Sequence, residues 1–125
     1  MDSEKQIQYW IYTAEEDLGT ATVLLNNNKI LPCLFFCHLC IEKAIKAHVA
    51  RCTQQIPPKS HKLSYLISIT DLELSEDELN FCAILMTYML EGRYPDHYPQ
   101  VPSINLVQEY LQKAHNLFQC LKVKL

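Results

Sequence analysis

Residues 32–52, PCLFFCHLCIEKAIKAHVARC, decide how this chain folds. Through Ile41 the stretch is apolar on nearly every side, and from Glu42 onward it turns amphipathic. A helix that is apolar all round has to be enclosed by other elements, so this one reads as the central helix of a bundle. Pro32 fits its first turn, where the missing N–H would have had no intrahelical acceptor. Thr53, Gln54 and the pair Pro57-Pro58 mark its end, because proline cannot continue a helix.

The flanking segments supply the enclosing helices. Upstream, over residues 4–26, Ile7, Ile11, Ala14, Leu18, Ala21 and Leu25 alternate spacings of four and three, which draws one stripe down a helix. Ser3 with Gln6 predicts a capping box at its start, and Asn26-Asn27-Asn28 predicts its end, since asparagine tolerates left-handed backbone. Downstream, residues 61–69 put Leu63, Leu66 and Ile67 on a short helical turn or two. Ser75 with Glu78, and the acids Glu76 and Asp77 between them, predicts a capped helix over 76–91 with a stripe of Leu79, Cys82, Met86 and Met89. Pro95, Pro99 and Pro102 make residues 92–102 a loop of the length that often carries function. Ser103 or Asn105 then caps a last helix over 104–122, with Val107, Tyr110, Ala114, Leu117 and Leu121 inward. The expected fold is all-α, an up-and-down four-helix bundle with one short extra helix, formed by residues 1–125 as a single domain. Leu18, Phe35, Ile41, Ile45, Val49, Leu79, Met86 and Leu117 are expected in its core.

Composition narrows the function. The chain has 125 residues, 49% apolar and 20% charged, with two glycines. That excludes disordered and collagen-like classes and leaves too little glycine for a phosphate-cradling loop. There is no membrane-length apolar run and no signal-peptide pattern, so a cytoplasmic location without membrane contact is expected. The net charge is −3, but it is unevenly spread. Lys43, Lys46, Arg51, Lys59 and Lys62 form a basic block, followed by the acidic block Asp71, Glu73, Glu76, Asp77 and Glu78. Such a dipolar surface can attract a phosphate-bearing ligand or a second copy of the chain. Of the six cysteines, Cys33, Cys37 and Cys40 share one helix face and read as buried small hydrophobes. Neither a metal nor a cofactor is expected.

Two local groupings could carry chemistry. Asp17 sits close to the apolar stripe of the first helix, where an unpaired carboxylate is costly, so it is expected to meet Lys43 or Lys46. Glu42 and Lys46 lie one turn apart in the favourable order. The densest cluster is Arg93-Tyr94-Pro95-Asp96-His97-Tyr98. Arginine can fork onto a phosphate and histidine can move a proton near neutral pH, which together make a minimal set for metal-free RNA cleavage. Equally, Arg93 could tie the loop to a carboxylate or to a helix C-terminus.

These pieces, in this order, resemble the HEPN domain family (higher eukaryote and prokaryote nucleotide-binding). The first helix is similar in Trp10, Ala14, Asp17, Leu18 and Ala21. The second is similar from Phe36 to Ala47, with Glu42, Lys43 and Lys46 in register. Pro57-Pro58 leading to His61-Lys62-Leu63 and Leu66 resembles the family's proline-rich link and His-x-Leu turn. Tyr88 with Arg93-Tyr94-Pro95-Asp96 resembles its tyrosine and signature. The resemblance implies a bundle that dimerises, often beside a small nucleotidyltransferase. It also implies one of three activities: a toxin ribonuclease, a nucleotide binder or an interaction domain. Arg93 and His97 match the residue types of the ribonuclease motif, but their interval of three residues is shorter than those members carry.

The reading favoured is a nucleotide-binding and interaction module, HEPN-like and homodimeric. It would pair with a separate minimal nucleotidyltransferase of the toxin–antitoxin or defence type, the partner performing any catalysis. Lys43, Lys46, His61, Arg93, Tyr94 and Asp96 are the expected nucleotide or phosphate ligands. The alternative is a metal-independent ribonuclease acting on RNA, with Arg93 as transition-state clamp and His97 as acid–base. A purely structural adaptor is the third.

Overall fold

Five α-helices and one 3₁₀ turn build the structure, a computed structural model that describes residues 2–125. They are α1 (Ser3–Asn26), α2 (Ile30–Thr53), α3 (Leu63–Ser68), α4 (Glu76–Thr87), the 3₁₀ turn Pro95–His97, and α5 (Ile104–Val123). No strand occurs among the described residues. The longest helices, α1 and α2, are antiparallel neighbours, and α2 packs against each of the other four. This central position explains why α2 buries Leu34, Ile41 and Ile45 together with the polar His38, Glu42, Lys46 and His48. Pro32 does lie in its first turn.

Local backbone chemistry sets most boundaries. After α1, Asn28 takes φ 60°, the Lys29 N–H donates to the Leu24 carbonyl, and the Asn28 N–H donates to that of Leu25. This is a Schellman closure, in which the left-handed asparagine ends the helix. The capping box at Ser75 and Glu78 forms in both directions, and Ser103, rather than Asn105, caps α5 by accepting from the Leu106 N–H.

Four expectations need correction. The cap of α1 is Asp2, whose carboxylate accepts from the Glu4 and Lys5 N–H groups, so the Ser3–Gln6 box is not used. A carboxylate also meets the positive end of the helix dipole, which a hydroxyl cannot match. Helix α4 stops at Thr87 instead of residue 91. The chain leaves the helix through tightened turns, the Tyr88 N–H donating to the Leu85 carbonyl and the Met89 N–H to that of Met86, and Tyr88 and Leu90 are both buried beyond it. The buried face of α4 is also turned from the expected stripe: Phe81, Cys82 and Leu85 point inward, Leu79 is 45% exposed and Met86 is only partly covered. Phe81 meets Tyr110 of α5 at 6.1 Å between ring centroids, and an aromatic ring buries more area than Leu79 would. Phe35, expected in the core, is likewise only partly buried.

The two charge blocks meet within one chain, because Arg51 pairs with Asp71 at 2.8 Å. All six cysteines are free, and Cys33, Cys37, Cys40 and Cys82 are buried. Burial pushes the Cys82 thiol up to about 11. No three His, Cys, Asp or Glu side chains among the described residues are placed to share a metal ion. No helix among them is long and apolar enough to cross a membrane.

Candidate functional site

The second half of α2 carries a buried polar cluster that reaches across three other segments. Glu42 is its centre. Its Oε2 accepts from Lys46 Nζ at 3.0 Å, one turn further along, with both side chains almost fully enclosed. The Lys46 ammonium also lies 5.3 Å from the ring centroid of Trp10 on α1, a cation–π contact in a desolvated setting. On the other oxygen, Oε1, Glu42 accepts from His61 Nδ1 at 2.9 Å. One turn before Glu42, His38 donates from Nε2 to the His61 carbonyl at 3.0 Å. Burial holds the His38 ring below the ordinary histidine range, opposed mainly by Glu42, so this ring is neutral with its proton on Nε2. Its Nδ1 has no hydrogen-bond partner among the described residues. Asp17 of α1 meets Lys43 at 2.8 Å, the pair expected from the position of Asp17 beside an apolar stripe.

The cluster continues outward to the loop. His61 Nε2 lies 2.9 Å from Glu91 Oε2. Glu91 is the second residue of a tight turn from Leu90 to Arg93, closed by the Arg93 N–H donating to the Leu90 carbonyl at 3.0 Å. Gly92 has φ 81° there, the positive value that the third position of a type II turn requires. Leu90 is buried, so the turn is anchored to the core at its first residue and to His61 at its second. Arg93 follows, exposed, and no ion pair among the described residues engages its guanidinium.

Beside this turn runs a groove of about 820 Å³. Leu31, Pro32, Phe35 and Leu39 of α2 form one wall, and Leu90, Glu91, Gly92, Arg93 and Tyr98 form the other. That is the composition of a small-molecule site, mainly apolar with a few polar groups at the lip. A second cleft of about 410 Å³ lies between α4 and α5, lined by Asp77, Glu78, Phe81, Ile84, Lys113 and Leu117, away from Arg93.

The sequence-derived candidates therefore separate into two sets. Lys43, Lys46 and His61 each hold a carboxylate of this same chain. Arg93, Tyr94, Asp96 and His97 stand exposed on the loop, the last two on the 3₁₀ turn. Of these four, Arg93 alone lines the groove. Tyr98, the end of the cluster read from the sequence, also lines the groove, whereas the α2 wall, with Leu31, Phe35 and Leu39, was not picked out as part of a site. Its signal lay in the all-round apolar start of α2, which carries more apolar surface than the bundle covers. His38 and Glu91 were also missed, since nothing local links them to His61.

The sequence profile of the HEPN domain matches residues 7–124. Among solved structures, TT1696 from Thermus thermophilus superposes with a TM-score of 0.80 at 24% identity, covering 96% of this chain and 98% of that one. ST0689, an archaeal HEPN homologue, superposes with a TM-score of 0.70 at 20% identity, covering 94% of this chain and 96% of its own. No curated protein matches the chain.

Proposed function

The chain belongs to the HEPN domain family, and from that premise we propose that it is a nucleotide-binding and interaction module in which Arg93 takes the phosphate. One observation carries this reading: an exposed guanidinium, without an ion pair among the described residues, stands at the lip of an apolar groove. A guanidinium forks onto phosphate oxygens, and the rings of Phe35 and Tyr98 offer faces for a base. Glu91 would otherwise offset the charge of Arg93, but it is engaged by His61. Tyr94 and Asp96 flank the site and can stack on a sugar and accept from its hydroxyls. Lys43 and Lys46 support it indirectly, as part of the framework of α2.

The module works as a homodimer, with a separate minimal nucleotidyltransferase of a toxin–antitoxin or defence pair as its catalytic partner. Tyr94 and Val101 on the loop and Ile104 at the start of α5 are exposed apolar side chains that support an interaction surface. A biological interface should bury more than about 1,000 Å². Light scattering at micromolar concentration that returns only a 14.5 kDa species would count against the dimer.

The binding test uses isothermal titration with tetra-adenylate lacking terminal phosphates. Arg93→Ala should weaken binding at least about tenfold, the weight of a charge-assisted phosphate contact, and leave the unfolding midpoint unchanged. Binding at wild-type strength by that variant would overturn the reading. The ribonuclease alternative draws on one observation: His97 is exposed on the 3₁₀ turn, four residues after Arg93. It requires RNA cleavage in the presence of chelator that disappears in His97→Ala.

A further inference from the structure

We propose that His61 is the positioning residue of this site: its imidazolium, seated on α2, clasps Glu91 and so fixes the turn that presents Arg93, and the clasp opens when the ring loses its second proton. The inference rests on the reading of Arg93 as the phosphate ligand for its functional meaning, and on the structure alone for the clasp itself.

Donor counting sets the protonation state that the geometry needs. Both His61 nitrogens lie 2.9 Å from a carboxylate oxygen, Nδ1 from Glu42 and Nε2 from Glu91. An ionised carboxylate only accepts, and a neutral imidazole has a single N–H to give. Only the doubly protonated ring satisfies both contacts. In the neutral ring, one contact sets a nitrogen lone pair against a carboxylate and is lost.

The inner contact is the one that persists. His61 is held on α2 twice, by Glu42 at its ring and by His38 at its carbonyl, and both of those residues are buried. Glu91 is largely exposed and free to turn to water, so it is the partner released. The charged groups around the ring can be enumerated. From α2 come Glu42, the neutral His38 and Lys46, which neutralises the far oxygen of Glu42. From the turn after α4 comes Glu91, and from the ring's own segment come the exposed Lys59 and Lys62. Helix α4 brings the Met86 sulfur, an uncharged group, to this corner, accepting from the Leu63 N–H.

Release of Glu91 reaches Arg93 directly, because one glycine separates them within a single hydrogen-bonded turn. With the clasp closed, the turn is held at Leu90 and Glu91. With it open, only Leu90 remains, and the guanidinium loses its fixed approach to the groove. Preorganisation of a phosphate-binding arginine is what such a clasp supplies.

The test follows the binding of tetra-adenylate, whose phosphodiesters keep one charge throughout, between about pH 5 and 8, the window in which histidine side chains change charge. Wild-type affinity should fall by about tenfold over that range, a typical coupling between linked sites. His61→Gln should bind at the weakened level with that dependence removed. Glu91→Ala discriminates by sign. Removing an acid two residues from a phosphate-binding arginine would strengthen binding by charge alone, whereas loss of the clasp weakens it. Glu91 is exposed, so this variant folds even if His61→Gln does not. In the ligand-free protein, the Gly92 and Arg93 amide resonances should titrate together with the His61 ring and stop doing so in His61→Gln. Tighter binding by Glu91→Ala, or amide titration unchanged in His61→Gln, overturns the clasp. Failure of wild-type protein to bind tetra-adenylate at any pH overturns the nucleotide reading, and the amide titration then decides the clasp by itself.

Discussion

Replacing Glu42 with alanine removes the acceptor on which the polar cluster turns, and the structure sets the size of the effect. Glu42 is 3% exposed and Lys46 6%. Without the carboxylate, the Lys46 ammonium keeps only the face of Trp10, and His61 Nδ1 loses its partner. Removing one member of a buried ion pair costs about 3–5 kcal/mol, because the other charge stays desolvated. The whole domain holds only about 5–15 kcal/mol, so Glu42→Ala should fall close to the limit of folding. Urea unfolding near neutral pH measures this directly, provided the slope with denaturant is unchanged. A paired experiment isolates the cause. Glu42→Leu combined with Lys46→Met removes both charges and fills the space with apolar atoms, so it should recover most of the lost stability. It also removes the carboxylate that holds the His61 ring to α2 in a folded protein, while His38 keeps the His61 carbonyl, and the pH dependence of tetra-adenylate binding should vanish with it. A loss below about 1 kcal/mol for the single variant would refute the reasoning, since that is the scale of an exposed pair. So would a double variant no more stable than the single one.

Other expectations concern the core, a cap, the thiols and two further histidines. Leu18→Ala, at a position 5% exposed, should cost about 2–5 kcal/mol in urea unfolding. Ser75→Ala breaks a capping box formed in both directions and should cost about 1 kcal/mol by the same measurement. In a thiol titration with an aromatic disulfide under native conditions, the exposed Cys52 should react first and the half-buried Cys120 later. Cys33, Cys37, Cys40 and Cys82 should react only after denaturant is added. His38 and His48 are both held below the ordinary histidine range by burial. The unfolded chain therefore binds more protons below about pH 6.5, and stability should fall as the pH drops through that value toward the lower folded ones. The urea midpoint followed downward from neutral pH checks this, and His48→Gln should remove part of the slope.

Much of this architecture is written in short-range patterns. The stripe of α1, the all-round apolar start of α2, the left-handed Asn28 and the capping box at Ser75 are each specified by residues within about two turns of one another. A helix or a cap needs little more than that. Asp17 was legible as a partner for α2 because a carboxylate beside an apolar stripe must be paired wherever the bundle closes. What the tertiary structure decided is which of several locally equivalent options is used. Leu79 and Phe81 compete for the inside of α4, and Tyr110 on α5 settles it. The residues after Thr87 could extend a helix, but the chain turns out of it at Tyr88, and Tyr88 and Leu90 both find burial. Among the cations, Lys43, Lys46, Arg51 and His61 all meet carboxylates of their own chain, while Arg93 meets none of the described ones. In a sequence these side chains look alike as phosphate ligands. Pairing depends on distances between residues far apart along the chain, and those distances exist only once α1, α2, the link and the loop have packed together.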